Sequence, residues 1–506
     1  MTGRPLREVQ LTLGLTRGNK RPVGEDVAAS AKSHNLSRRQ GGAIVAIFQV
    51  GLLYSAGAVL ALVFREEVVL DIFLLFLSLW GALCFFMLWR RIDWGNYRFL
   101  SFGALFLLTS ACFRVSSFLD VLFFGNRIER WPIYADEPLL FIAYGEFTFV
   151  AGALILVGTW LALRGHEHSI VIIKSWRYDR SILIIGYAIG VSVVFSIRIL
   201  EFDLAFLGSI LYVFFIMAML SILLISLGSS QGRTWRRCVL LPLLLSFPLI
   251  YGALGTGMKE NIIFSVLPVA IGVFVVAKGA WTRTFVGLLM AAVFAFMTVF
   301  VSIQRDINWI EGQGRSAVQV FDITVDAFRL DNNLWATAVE NSLSRKNLLE
   351  VNGWSFAIVE HRGHVKEFSP DHAYQIFIPR VLWVEKPQFR PGSDFSDLVY
   401  GRGMGDYTAT AAGFFSALYL GAGLWGVLIY SMMLGALYAV SLSVVIRFGS
   451  SFAQLLLLSG AAYKALRLDE GWPVYEFAGS ISLLLMVILL GKLISFFQKS
   501  TRRVRV

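Results

Sequence analysis

The chain has 506 residues, of which 57% are hydrophobic, 14% aromatic and only 16% charged. That much apolar surface exceeds what a soluble core can hide, so the composition excludes a soluble globular class and sets a polytopic membrane protein. The net charge of +11, from 45 Lys and Arg against 34 Asp and Glu, belongs in such a chain to cytoplasmic flanks, and no nucleic-acid partner is expected.

Residues 1–41 form a polar tail with eight basic residues, too long ahead of the first apolar run for a cleavable signal peptide. It is expected to stay in the cytoplasm. Apolar runs long enough for a hydrocarbon core of about 30 Å fall at 42–64, 68–89, 99–124, 138–163, 181–199, 205–227, 238–255, 261–277 and 284–303. After a hydrophilic segment they resume at 421–446, 451–466 and 474–495. The expected fold is therefore an all-α bundle of about twelve transmembrane helices: 42–303 with nine spans, 421–495 with three, and a basic tail at 496–506. Cys84, Cys112 and Cys238 lie in or at the ends of these runs with no paired spacing, which argues against a disulfide framework or thiol metal site.

With the N-terminus inside, every inner connection is basic, and the inner segments together hold 26 of the 45 basic residues. Both termini are thus expected in the cytoplasm, and the segment between spans nine and ten outside. Residues 304–411 carry eleven basic and fourteen acidic residues, unlike the inner connections. Residues 315–343 place Val318, Phe321, Val325, Phe328, Leu334 and Trp335 at helical spacing, which predicts an amphipathic helix over the membrane surface or against the bundle. Pro370, Pro379, Pro387 and Pro391 favour an irregular path. Residues 411–420, AAGFFSALYL, read as a lead-in helix or re-entrant piece, so the external domain is bounded at 304–420.

Ionisable residues inside apolar spans are costly and point to function. Arg114 and Glu146 each fall about 12–15 Å from the outer ends of spans three and four, within reach of one another. A buried bridge and a polar chamber opening outward are both open readings. Arg198, Glu201, Asp203, Lys259, Glu260, Lys464, Arg467, Asp469 and Glu470 also gather near outer span ends. Above them Arg380, Lys386, Arg390 and Arg402 supply cations that bind phosphate oxygens by charge-assisted hydrogen bonds. A departing diphosphate carries its charge where such donors stabilise it most. Asp371 and His372 are acid/base candidates. His361 and His364 with Glu360 and Glu367 match no closed metal motif. The glycines of GRGMG, 401–405, serve as a flexible turn or offer backbone N–H groups to an anion.

The stretches IPRVLWVEKP (378–387) and GDYTATAAGFFSALYLGAGLWGVL (405–428) resemble the bacterial O-antigen and oligosaccharide repeat-unit polymerases of the Wzy type, and GTGMKEN (255–261) resembles a Gly-Ser-Arg element of that family, with Lys259 at the arginine position. The resemblance implies a metal-independent glycosyltransferase of GT-C-like fold with no cofactor, in the bacterial inner membrane. It would join undecaprenyl-diphosphate-linked oligosaccharides on the periplasmic face, alongside a chain-length regulator and a flippase as possible partners. Arg380, Lys386, Arg402 and Tyr407 match the family pattern. Arg380 and Lys386 are assigned to the diphosphate, with Arg390, Arg402 and Lys259 as helpers. Glu260, Asp371 and His372 are the general-base candidates, and Trp335, Trp354, Trp383, Tyr374 and Tyr407 the aromatic candidates for sugar. The alternatives are an O-antigen ligase, a lipid-linked oligosaccharide flippase or other transporter, for which internal repeats are expected, and a non-catalytic scaffold.

Overall fold

The computed structural model describes residues 45–56 (except 48), 70–91, 102–125, 138–163, 180–200, 208–227, 234–254, 259–276, 279–305, 307, 317–331, 333–344, 348–378, 383, 385, 391–400, 412–448 and 450–504. Residues 46–506 cluster as one compact unit. Among the described residues all regular structure is helical. The helices are α1 (Val45–Ala56), α2 (Leu70–Arg91), α3 (Phe102–Phe124), α4 (Pro138–Leu163), α5 (Arg180–Leu200) and α6 (Gly208–Leu227). They continue with α7 (Leu241–Leu254), α8 (Lys259–Val276), α9 (Ala280–Arg305), α10 (Ala317–Leu330), α11 (Leu334–Ser344) and α12 (Leu348–Arg362). The last are α13 (Ala373–Phe377), α14 (Pro391–Tyr400), α15 (Phe414–Phe448), α16 (Ser451–Arg467) and α17 (Pro473–Val504).

A helix lies at each of the twelve expected positions. Seven are both long and apolar enough to cross a membrane: Asp71–Trp89, Phe102–Phe124, Leu139–Leu163, Arg236–Ala253, Thr284–Gln304, Phe414–Val445 and Pro473–Leu490. α1, α5, α6 and α8 hold shorter apolar stretches, and α16 carries Lys464 and Arg467 in its last turn. The chain is an all-α membrane protein. A helix such as α6 is apolar all round, as a helix with neighbours or lipid on every side should be. α4 packs against α12 and α15, and α3 against α2 and α16.

Three elements depart from the sequence reading. The single amphipathic helix expected over 315–343 is two helices, α10 and α11, because Asp331 ends the first and its carboxylate accepts from the Asn333 N–H at 2.8 Å. The proline stretch is more regular than expected: Pro370 opens a 3-10 turn, and Pro391 begins ten residues of helix, a position where its missing N–H costs nothing. The lead-in piece and the tenth span join as α15, interrupted at Gly423 with φ 64° and ψ −166°. A Cβ placed on Gly152 of α4 would lie under 3.0 Å from both Phe415 and Val427. One continuous helix would hold those residues about 18 Å apart, so the chain turns back sharply at Gly423. Only glycine tolerates that backbone well. Residues 414–422 form a buried pin beside the longer piece, with Phe414, Phe415, Ala417, Leu418 and Leu420 sealed in the core.

Candidate active site

Described parts of the 304–420 segment pack among the helices. Asn352 of α12 reaches Glu146 of α4, and Gly145 makes this approach possible, since a Cβ there would meet the Asn352 backbone at 2.7 Å. Glu146 is 1% exposed and Arg114 2%, and Arg114 Nη2 donates to Glu146 Oε2 at 2.8 Å. Tyr54 OH donates to the same oxygen at 3.1 Å, and Asn352 Nδ2 to Oε1. Ser416, on the buried pin, donates to Asn352 Oδ1. The Arg114 guanidinium lies over the rings of Phe149 at 4.0 Å and Phe85 at 4.8 Å, a favourable desolvated setting for a cation. The bridge between spans three and four therefore exists, and it also fastens the 348–362 helix and the 414–422 pin to the bundle. Every Glu146 oxygen has a donor.

One turn deeper on α3, Ser110 Oγ donates to Asp469 Oδ2 at 2.7 Å. Ser110 lies fourteen residues before the Phe124 end of α3, about 21 Å along the axis. The 468–473 connection between α16 and α17 is therefore sunk well below that end. Three pieces of the inserted segment converge on it. Phe368 stacks on Trp472 with ring centroids 5.5 Å apart, Phe395 meets the same ring edge-on at 6.2 Å, and Gly413, at φ +84°, lies against the Asp469 carbonyl. Asp469 itself is fully buried, and its Oδ1 has no hydrogen-bond partner. Burial pushes its carboxyl up to about 7, against the attraction of Arg114 and the Ser110 hydrogen bond. A raised carboxyl pKa where several pieces of the chain converge is a feature found at acid/base groups.

A second polar group lies where residues 366–378 meet the longer piece of α15. Asp371 is exposed, and it accepts from Tyr430 OH at Oδ1 and from Ser369 Oγ at Oδ2, the latter at 2.9 Å. The Tyr430 hydrogen bond holds the Asp371 carboxyl below the usual range. Gln375 Nε2 lies 3.1 Å from His372 Nδ1, while Tyr374 is 58% exposed beside them. Across α16 and α17, Lys464 Nζ lies 3.1 Å from Glu476 Oε2, both side chains buried. The ammonium donates to the Tyr475 carbonyl at 3.4 Å, and Glu476 Oε2 has the ion pair without a hydrogen bond.

Of the residues singled out in the sequence, Asp371, His372 and Tyr374 share this rim. Trp354 is buried in the core and Trp335 packs on Phe328 at 4.5 Å, so neither offers a free stacking face; Trp383 is half-buried. Lys259 and Glu260 open α8, but their side chains, with that of Arg198, lie outside the described residues. So do Arg380, Lys386, Arg390, Arg402, Tyr407, Glu201, Asp203 and the glycine turn. Arg467 donates to Tyr463 OH. Among the described residues no three His, Cys, Asp or Glu side chains group to hold a metal. The sequence reading missed Tyr54, Ser110, Asn352 and Ser416 as members of the buried network. Asn352 precedes a glycine, a pair that reads locally as a turn, and the serines stand singly in apolar helices.

A family model described as a domain of unknown function (DUF8712) matches residues 104–452. No curated protein and no solved structure matches the chain.

Proposed function

The chain belongs to the DUF8712 family, and we propose that it is a membrane glycosyltransferase that polymerises undecaprenyl-diphosphate-linked oligosaccharide repeat units on the outer face of the bacterial inner membrane. The observation that supports this reading is that the described parts of the 348–414 segment, 348–378, 391–400 and 412–414, pack against the bundle helices. Its stretch from Arg380 to Arg402 is flanked by Ile378 on one side and Gly413 on the other, and Phe395 within it is pinned on Trp472. A lipid-diphosphate donor needs apolar walls for its tail, cations for its diphosphate and a proton acceptor for the incoming hydroxyl.

In the reaction a sugar hydroxyl of one repeat unit attacks the anomeric carbon of the growing chain. The new C–O bond forms as the bond to diphosphate breaks, the hydroxyl proton passes to a carboxylate or imidazole, and undecaprenyl diphosphate departs with its charge held by Arg380 and Lys386. Asp371 and His372 of the rim and Glu260 at the start of α8 are the proton-accepting candidates. Asp371 is committed to Tyr430 and Ser369, which favours a part in orienting sugar hydroxyls over one in accepting protons. Exposed Tyr374 and half-buried Trp383 offer aromatic surface to a sugar ring.

The test is incubation of the purified protein with a synthetic lipid-diphosphate repeat unit and gel separation of the products. Wild type is expected to give a ladder. Arg380→Ala and Lys386→Ala are expected to leave single units while remaining in the membrane at normal levels. Normal polymer lengths in both variants would remove these residues from the diphosphate site, and protease or tagging evidence placing Lys386 in the cytosol would overturn the proposal.

A further inference from the structure

Arg114 stands between two buried carboxyl groups and is tied to both. Its Nη2 donates to Glu146 Oε2 at 2.8 Å, and its Nη1 donates to the Ser110 carbonyl at 3.2 Å. The Ser110 hydroxyl in turn donates to Asp469 Oδ2 at 2.7 Å, so one serine joins the arginine to the second carboxyl. Two polar atoms are left over. Arg114 Nε and Asp469 Oδ1 are both sealed from solvent and both lack a hydrogen-bond partner among the described residues. Gly81 of α2 gives the arginine clearance, since a Cβ there would meet Arg114 Cδ at 2.9 Å and Nε at 3.2 Å. A spare donor and a spare acceptor on groups that share a serine allow a second arrangement, in which the guanidinium turns toward Asp469.

The proton on Asp469 decides between the two. Protonated, the carboxyl needs no counter-charge and Arg114 stays with Glu146. Ionised, it is a buried charge with one serine hydroxyl for a partner, which is strongly unfavourable until a cation comes to it. The charged groups that act on Asp469 are Arg114 of α3, Glu146 of α4 and the adjacent Glu470, and Asp469 acts in turn on Cys112 of α3. Asp120 of α3 lies ten residues beyond Ser110, about 15 Å along the axis. α15, packed against the same connection, carries no acidic or basic side chain before Arg447. The basic side chains at the end of α16 are engaged, Lys464 3.1 Å from Glu476 and Arg467 on Tyr463 OH. Arg114 is therefore the cation that answers a charge on Asp469. Burial places the titration of that carboxyl at about 7, which ordinary changes of pH cross.

We propose that Arg114 is a switch between Glu146 and Asp469 that fastens or loosens the inserted segment. When Asp469 loses its proton, the guanidinium turns to it and Glu146 is left buried without its counter-charge. Asn352 of α12 and Ser416 of the pin are anchored through Glu146, so both elements lose hold together while the rest of the bundle keeps its packing. Phe368 and Phe395 on Trp472, and Gly413 on the Asp469 carbonyl, sit on the connection whose charge has changed. A side chain with two positions, set by one proton, is a bistable element of the kind that converts local charge into movement of a segment. The inference goes beyond the proposed glycosyl transfer and holds whether or not that reaction occurs.

The experiment is hydrogen exchange read by mass spectrometry on the full-length protein in phosphatidylcholine nanodiscs, in steps from pH 5 to 8.5, with rates corrected for the intrinsic pH dependence of exchange. Protection of 348–362 and 414–422 is expected to fall by at least about tenfold between pH 5 and 7 and then level off, while 241–254 of α7, outside this cluster, keeps its protection. Asp469→Asn is expected to abolish the fall. Ser110→Ala removes a donor that favours the ionised carboxyl, so the levelling point is expected to move to higher pH, and this reading serves where Asp469→Asn does not fold. Flat protection in wild type, the same fall in Asp469→Asn, or an unmoved levelling point in Ser110→Ala would each overturn the proposal. An equal fall in α7 would mean general destabilisation and would overturn it as well.

Discussion

Glu146 and Asp469 are both buried carboxyl groups on either side of the same arginine, and they are finished differently. Glu146 receives Arg114, Tyr54 and Asn352, so its charge is compensated and its oxygens are filled. Asp469 has Ser110 on one oxygen and nothing on the other. A filled network fixes geometry. A half-filled one costs stability, and such costs concentrate at functional sites. The comparison assigns Glu146 to holding the inserted segment in place and leaves Asp469 as a buried carboxyl with one unfilled oxygen at the point where that segment converges.

The largest expected effect comes from breaking the filled side. Glu146→Ala leaves Arg114 buried with no counter-charge and should lower stability by about 3–5 kcal/mol, read as a fall in melting temperature of the purified protein. Swapping the charges, with Arg114→Glu and Glu146→Arg together, should restore part of the loss. If Glu146→Ala unfolds no more easily than wild type, the holding role is wrong.

Asp469 should behave in the opposite sense. Its folded-state value of about 7 lies above the unfolded value of about 3.9, so between those limits the unfolded chain releases a proton that the folded chain keeps. Stability should therefore fall as pH rises from about 4 to 7 and level off above. Asp469→Asn should flatten this slope and be the more stable protein at pH 8. A wild-type profile that rises over the same range would contradict the assignment.

The smallest effect is expected at the rim. Tyr430→Phe removes one hydrogen bond from an exposed carboxylate and should cost about 0.5–1.5 kcal/mol, while the Asp371 carboxyl moves up toward its ordinary range. Titration of Asp371 by NMR before and after the substitution reads that shift directly. No upward movement would mean that Tyr430 does not set the carboxyl's charge.

Much of the bundle was legible from hydrophobic run length alone, because crossing a membrane imposes a length that the residues themselves must supply. The Arg114 and Glu146 pair was legible for a similar reason: two ionisable groups at matched depth in neighbouring apolar runs have few other partners. Asn352 and Ser416 were not, since each stands as a single polar side chain in a largely apolar stretch and nothing local names its partner, even though 411–420 read as a lead-in or re-entrant piece. The break at Gly423 was equally hidden among the other glycines of 421–426.

By itself, then, the sequence determined the helical class, the positions of the helices and the costly charges within them, all of which follow from burying apolar side chains and backbone groups over a fixed thickness. Only the tertiary structure decided that the described parts of 348–422 pack among the bundle helices, that α10 and α11 are separate helices against α9, and that Asp469 keeps an oxygen without a hydrogen-bond partner. Those outcomes depend on which side chains meet across hundreds of residues, as Ser110 meets Asp469 and Asn352 meets Glu146, and pairing at that separation leaves no periodic trace in the chain.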